Sequence, residues 1–468
     1  MKPLLVTVLL TTLVKGVVAT LWPLRAEEAV IWASASWNVG PFAGDTATRL
    51  LATWADGGPL GRLVLRAPGL VTAALWALPL ARLAATAGVT PRRAAGTWLT
   101  LHALPGLALA MGGWNREPML VLLTLIALDA AMRWSAGHER AGLQLGLAGG
   151  LGLLVHPLAL LLPLAALGCR LDRAAATDEV RTSERRADGR ARTLLGAALG
   201  ATLSLTLDPS GVLPRNLDLA GSLRLGLRPL EGLQWVIGAA VVVGPIVPLL
   251  APRGWRECGT LSASDGLGPR MVSIAPLAVL LYLALQGPAD PRLVLGPATA
   301  AVVPALLAAD PPRRVVRRLR TTGWAFALLL ASVELGATAS PRLAGRLAER
   351  LPALAEASAA ARPLAAPLAR ALHERFPEPA PYCDRDLVRG ALVALRDPAR
   401  RPLLAPDGAG GSPPAALTLV DHPQGAREAL RDWSTVEIEP ALRIPTGGGG
   451  VWTIWPAWAR DPQRAAAP

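Results

Sequence analysis

Lysine is almost missing from this chain: Lys2 and Lys15 are the only two in 468 residues. Charge of any sign is scarce, at 17% of residues against 52% hydrophobic, with a mean hydropathy of +0.38. A soluble chain of this length needs far more polar surface to cover its cores, so an ordinary soluble enzyme is excluded. Cysteine is equally sparse. Cys169, Cys258 and Cys383 fall in three separate regions with no metal-ligand spacing, which leaves neither a disulfide framework nor a zinc site. No internal repeat is visible either. The formal charge of +13 invites a nucleic-acid reading, but it resides almost wholly in arginines placed in short loops between apolar runs. That distribution orients a chain in a membrane rather than lining a nucleic-acid groove.

What the chain does have is apolar runs, at residues 4–24, 67–86, 94–112, 118–134, 141–168, 194–207, 232–251, 271–287, 293–309 and 322–339. Most are about 17–21 residues long, the length of helix that crosses a hydrocarbon layer of about 30 Å. The first run exceeds the roughly 7–15 apolar residues of a signal-peptide core, so we read it as a retained span interrupted by Lys15, in preference to a leader cleaved after VVA. The run 141–168 is too long for one span. His156-Pro157 interrupts it, and proline both removes a backbone donor and disfavours helix at the residue before it, so a hairpin of two short spans is expected there.

Arginine placement tests that division. With an N-terminus in the cytoplasm and the hairpin split, TPRR (90–93), RWSAGHER (133–140), the segment 170–192, PRGWREC (252–258) and PPRRVVRRLR (311–320) all face inward, and these are the densest arginine segments of the membrane region. A single span at 141–168 would give the two halves opposite preferences. The sequence therefore predicts a mainly α, polytopic transmembrane helical bundle of about eleven spans over residues 1–339. A small extracytoplasmic α/β domain follows over 340–468, where AALTLVD and GGGGVWTIWPAW read as strands. The tail holds no nucleophile–base grouping and reads as a lid or scaffold, with Trp452, Trp455 and Trp458 in its core. Multi-pass location in a bacterial-type inner (plasma) membrane follows.

The same topology gathers acids and an imidazole on the outer side: Glu27 and Glu28 in the first loop, Glu117 in GGWNREP (112–118), and His156 at the hairpin turn. Each also has a plain reading. Glu27 and Glu28, with Trp32 and Trp37, can be a charged stop in an aromatic belt. Glu117 can pair with Arg116, and His156 can cap a broken helix. Lys15 reads as structural, and Glu334 as lying near the outer end of the last span. Acidic loop residues are of the type that takes a divalent cation, but no ligand set is legible.

These motifs, in this order, resemble the polytopic glycosyltransferases of the type C fold, especially the branch of aminoarabinose transferases and protein O-mannosyltransferases (glycosyltransferase family 39-like). EEAVIW (27–32) stands where that family carries DEAYYW, so Glu27 matches its catalytic aspartate and Glu28 its glutamate. NVGPFAGDTAT (38–48), with Asp45, stands at GYYDHPP; LVLRAPGLVTAAL (63–75), with Arg66, at the Arg-Leu-Pro-Ser pattern. NREPMLVLL (115–123) places Glu117 at the acid of TPDAPLLL, and His156 stands where the hairpin motif has lysine. The resemblance implies sugar transfer from a polyprenyl-phosphate donor to an extracytoplasmic lipid, protein or glycan acceptor, with inversion. It implies Glu27 as base, Glu28 and Glu117 as orienting acids, and Asp45, Arg66, Arg116 and His156 as substrate-binding residues. The alternatives are a transporter or flippase, and a non-catalytic relative acting as a scaffold.

Overall fold

The computed structural model describes residues 2–22, 59–109, 116–138, 140–176, 183–207, 229–261, 265–286, 291–308, 313–340, 343 and 346. Beyond these it describes the strand residues 382–383, 415–420, 435–438, 442–445 and 451–460, together with residue 440. Contacts divide the chain into two compact units, one of Met1–Thr20 with Arg66–Leu330, the other of Leu21–Leu65 with Ala331–Pro468.

The first unit is helical. It runs through α1 (Lys2–Leu21), α2 (Pro59–Leu75), α3 (Ala77–Thr86), α4 (Pro91–His102), α5 (Pro105–Leu109), α6 (Arg116–Ser135) and α7 (Arg140–Leu151). Next come α8 (Ala165–Ala176), α9 (Ser183–Leu207), α10 (Pro229–Val243), α11 (Ile246–Leu261), α12 (Leu267–Gln286), α13 (Leu295–Leu307) and α14 (Arg313–Ala339), with α2 and α14 each continuing into the second unit. Every residue of α13 is buried, so this helix, about 20 Å long at 1.5 Å per residue, is the core of the unit. The surface is apolar where a soluble protein's would be polar. On α1 Leu5, Leu9, Leu13 and Val17 are all more than half exposed, while Leu4, Val8, Lys15 and Ala19 are buried. An apolar stripe facing outward, with the ionisable side chain turned inward, is what hydrocarbon solvent selects.

Among the described residues, four stretches are long and apolar enough to cross a membrane: Lys2–Leu21, Arg66–Thr86, Glu117–Ser135 and Leu267–Gln286. A fifth joins α10 to α11 through a bend of 87°. Gly244 makes that bend with a φ of 62°, a conformation that costs glycine little, and Pro245 follows it. The other apolar runs are divided or shortened for legible reasons. The run 94–112 breaks at Ala103–Leu104, because Pro105 opens a new helix and disfavours helix before it. The runs 194–207 and 322–339 are the distal parts of α9 and α14, whose first turns are arginine-rich.

The hairpin at 141–168 is visible in its contacts. Beyond α7 the chain forms short 3-10 turns over Gly152–Leu154 and Pro157–Leu164. Gly149 abuts Pro163 and Gly152 abuts Ala159, so the chain doubles back about Val155–His156. On its other side α7 packs against α9 with both backbones nearly touching. A Cβ on Gly146 would lie 2.1 Å from the Thr193 carbonyl oxygen, and one on Gly150 would lie 2.5 Å from that of Ala197. Gly196 and Gly200 return the same close approach to Leu143 and Leu147. Contacts that advance together along both helices mean α7 and α9 run parallel, through two glycine pairs spaced four apart as in tight membrane helix dimers. Parallel neighbours require a return crossing between them, which the hairpin provides.

The described tail residues, in the second unit, form a sheet of order β1-β2-β5-β3 from β1 (Tyr382–Cys383), β2 (Ala415–Val420), β3 (Thr435–Ile438), β4 (Leu442–Pro445) and β5 (Val451–Arg460). β1 pairs parallel with β2; the other pairings are antiparallel. The ten-residue β5 serves two partners along its length. Its first half pairs with β4, and its second half lies between β2 and β3, with Leu417 opposite Trp458.

Candidate functional site

Glu117 sits in the first turn of α6, where a carboxylate is favoured by the helix N-terminus. It is buried, and its Oε1 lies 3.3 Å from Nε of Arg292, which is 29% exposed. The sequence reading offered Arg116 as one partner for Glu117; the fold brings to it an arginine from 175 positions further along. Arg116 opens α6, and its side chain lies outside the described residues.

Leu120 and Thr124 follow Glu117 on the same face of α6, at the i+3 and i+7 spacing that shares a helical face. Together with Leu293, next to Arg292, they line a small apolar recess of about 10 Å³, room for little more than one water. Pro297 and Leu280 add to the wall, and His156 is its one imidazole. The recess therefore lies about one helical turn from the Glu117–Arg292 pair. His156 is held in extended backbone (φ −164°, ψ 142°), and its Nδ1 accepts from the Leu158 N–H at 3.2 Å. Accepting at Nδ1 leaves Nε2 as the protonated nitrogen of a neutral ring. Its capping of a broken helix, one of the two readings drawn from sequence, is thus seen, and the same residue lines the recess.

Arg66 is fully buried and donates through Nη1 to the Ala19 carbonyl at 2.5 Å, tying α2 to the end of α1. In the second unit, Arg62 donates to the Trp22 carbonyl at 3.3 Å, and the Trp22 indole N–H donates to Glu334 at 3.3 Å. Glu334, expected near the outer end of the last span, thus joins the last residue described before the first loop. Glu27, Glu28 and Asp45 lie outside the described residues.

Of the predicted set, then, His156 lines the recess, Glu117 lies about one helical turn from it, and Arg66 fastens the two helices that flank the first loop. Arg292 was missed. A signal for it existed: it stands in GPADPRLV (287–294), on the side that the arginine bias otherwise leaves poor in arginine. Lys15 is structural as expected, its ammonium donating to the Leu107 carbonyl at 2.9 Å near the end of α5. Among the described residues no three His, Cys, Asp or Glu side chains gather closely enough to hold a metal ion.

No family model matches the chain, and no curated protein matches it. The chain is similar to the crystal structure of ArnT from Cupriavidus metallidurans bound to undecaprenyl phosphate, at 14% identity over 97% of each chain with a TM-score of 0.49. Against ArnT from the same organism in the apo state the values are 15% identity, 97% of each chain and a TM-score of 0.48.

Proposed function

We propose that this chain is an integral-membrane glycosyltransferase of about eleven spans that moves a sugar from a polyprenyl-phosphate carrier to an extracytoplasmic acceptor, with inversion. Two things support the reading. One is the ordered run of motifs at Glu27-Glu28, Arg66, Glu117 and His156. The other is the buried Glu117–Arg292 pair, about one helical turn from the small recess that His156 lines; the nearness of this acid–guanidinium pair to the His156 recess is the observation that carries the proposal. In the reaction Glu27 takes the proton of the acceptor hydroxyl. The acceptor oxygen bonds to the anomeric carbon from the face opposite the phosphate, and the anomeric C–O bond breaks with its electron pair leaving on the polyprenyl phosphate. Glu28 and Glu117 orient the acceptor and base. Asp45, Arg66, Arg116 and His156 serve substrate binding, the cations and the Nε2–H stabilising charge on the departing phosphate. A positioned base of this kind contributes typically about 10²–10⁴-fold. Glu27→Gln keeps the shape and removes the basicity, so transfer of radiolabelled sugar from polyprenyl phosphate should fall by that factor; undiminished transfer refutes the role.

A second reading, a transporter or flippase, draws on a different observation. Lys15 and His102 are ionisable side chains buried within the apolar helices, and the helices are broken at Leu104, at His156 and at Gly244. Broken helices with intramembrane ionisable groups are features of transport proteins. Flux of carrier lipid across proteoliposomes without any transfer product selects this reading over the first.

A further inference from the structure

At the end of the first unit that the arginine bias assigns to the cytoplasm, three helix ends converge. Arg93, in the first turn of α4, donates through Nε to the Leu306 carbonyl at the end of α13, at 2.9 Å. The side chain of Arg320 on α14 reaches over Gly96 of α4, its Nη2 3.9 Å from where a Cβ would stand. Val316 and Leu319 turn inward to pack on the core, which turns Arg314, Arg317 and Arg318 outward at i, i+3 and i+4 spacing. Arg92 is exposed on α4, four residues before Gly96 and so on the same face of that helix. The segments 90–96 and 313–323 contain no acidic residue. Among the described residues, none of Arg92, Arg314, Arg317, Arg318 or Arg320 makes an ion pair. Arg320 Nε is buried without a hydrogen-bond acceptor. The contrast with the neighbouring basic end is sharp: Arg253 of α11 faces Glu257 at 3.9 Å, and Arg270 of α12 donates to the Trp255 carbonyl at 2.6 Å.

Orientation alone needs positive charge near the membrane; it does not need five guanidinium groups gathered from two helices and left without counter-charge. Like charges at i, i+3 and i+4 on one helix face repel, and that repulsion is relieved by an anion. The position, at the head of helices whose remaining turns are apolar, sets the anion at the depth of lipid headgroups. Arginine's planar fork accepts a phosphodiester through two parallel N–H bonds, which lysine cannot match. We propose that Arg92, Arg314, Arg317, Arg318 and Arg320 form a binding site for the phosphodiester headgroups of anionic phospholipid in the cytoplasmic leaflet. The site rests on the membrane reading of the chain and is independent of whether the opposite end transfers a sugar.

The test uses the full chain purified in a neutral detergent and titrated, by native mass spectrometry, with dimyristoylphosphatidylglycerol or dimyristoylphosphatidylcholine. Wild type should bind the anionic lipid at least tenfold more tightly, since a juxtamembrane basic residue contributes roughly fivefold. The triple variant Arg314→Gln, Arg317→Gln, Arg318→Gln should lose most of that preference while binding the zwitterionic lipid unchanged. Replacing the same three by lysine, which guards against a failure to fold, should keep more of it than glutamine does. Arg253→Gln with Arg256→Gln should leave it within about twofold. Equal affinity for the two lipids, or a preference that survives the glutamine variant, overturns the proposal. So does displacement of the lipid by inorganic phosphate at equal concentration, which would mark a site for a free anion.

Discussion

Two buried acids, Asp172 and Glu117, occupy opposite ends of the same helical unit and are held in different ways. Asp172 of α8 accepts from the backbone N–H groups of Leu267 and Gly268 at 2.9 and 3.0 Å, and from the Ser135 hydroxyl at 3.2 Å. It caps the N-terminus of α12 from a neighbouring helix, satisfying donors that the helix itself cannot pair. Nearby, Asp129 is held by Arg82 at 3.3 Å and Arg133 at 2.8 Å. Glu117 instead faces the side chain of Arg292, a partner that is partly exposed and stands beside a recess. A carboxylate bonded to fixed backbone donors cannot exchange them without unfolding a helix end. One bonded to a long, partly solvated guanidinium can give it up to a ligand. The comparison teaches that burial alone does not describe a buried acid; whether its partner is backbone or a partly exposed side chain separates the two.

Substitutions can break this contrast or sharpen it. The largest effect is expected away from both acids, at the α7–α9 contact. Gly146→Leu puts a side chain where the Thr193 backbone already stands, and should cost about 3 kcal/mol or more. SDS-induced unfolding followed by tryptophan fluorescence reads it; an unchanged midpoint means the two helices do not pack through these glycines. Next comes the pair of acids themselves. Asp172→Ala leaves two N–H groups of α12 without their acceptor, so stability should fall by about 2–3 kcal/mol. Glu117→Gln should move the same unfolding midpoint by less than about 1 kcal/mol while lowering sugar transfer at least tenfold, by about 1.4 kcal/mol in the barrier. Equal stability losses at the two sites would erase the distinction drawn between them. Smaller than the barrier change at Glu117 is the effect of His156→Ala, which removes the acceptor for the Leu158 N–H and should lower the same unfolding midpoint by about 1 kcal/mol, a typical loss for a helix cap.

Much of this organisation was legible before any coordinate. The hairpin at His156-Pro157 follows from proline's missing donor and from arginine counting, and the abutting pairs Gly149–Pro163 and Gly152–Ala159 have the geometry of a chain doubling back. Lys15 as an inward, structural residue followed from the cost of leaving an ammonium in hydrocarbon. The breaks at Leu104 and Gly244 were less legible. A run of apolar residues reads the same whether it makes one straight helix or two short ones, and Pro105 and Gly244-Pro245 were passed over inside such runs. Glu117 and His156 stood out in the sequence because of their place beside apolar runs and in the order of motifs. Arg292 was hidden because arginine is common in it.

The sequence by itself determined the solvent of this protein, the order of its apolar helices and the places along the chain where its charges collect. These depend on composition and order along the chain, which hydrocarbon constrains strongly. Only the tertiary structure decided which charges meet. The pairing of Glu117 with Arg292, the cap that Asp172 supplies to α12, and the gathering of arginines from α4 and α14 each join residues more than ninety positions apart. The physical reason is that a helix fixes the direction of a side chain but not the identity of its neighbour. That identity depends on which helices can approach closely enough to touch, as Gly146 and Gly150 allow α7 and α9 to do.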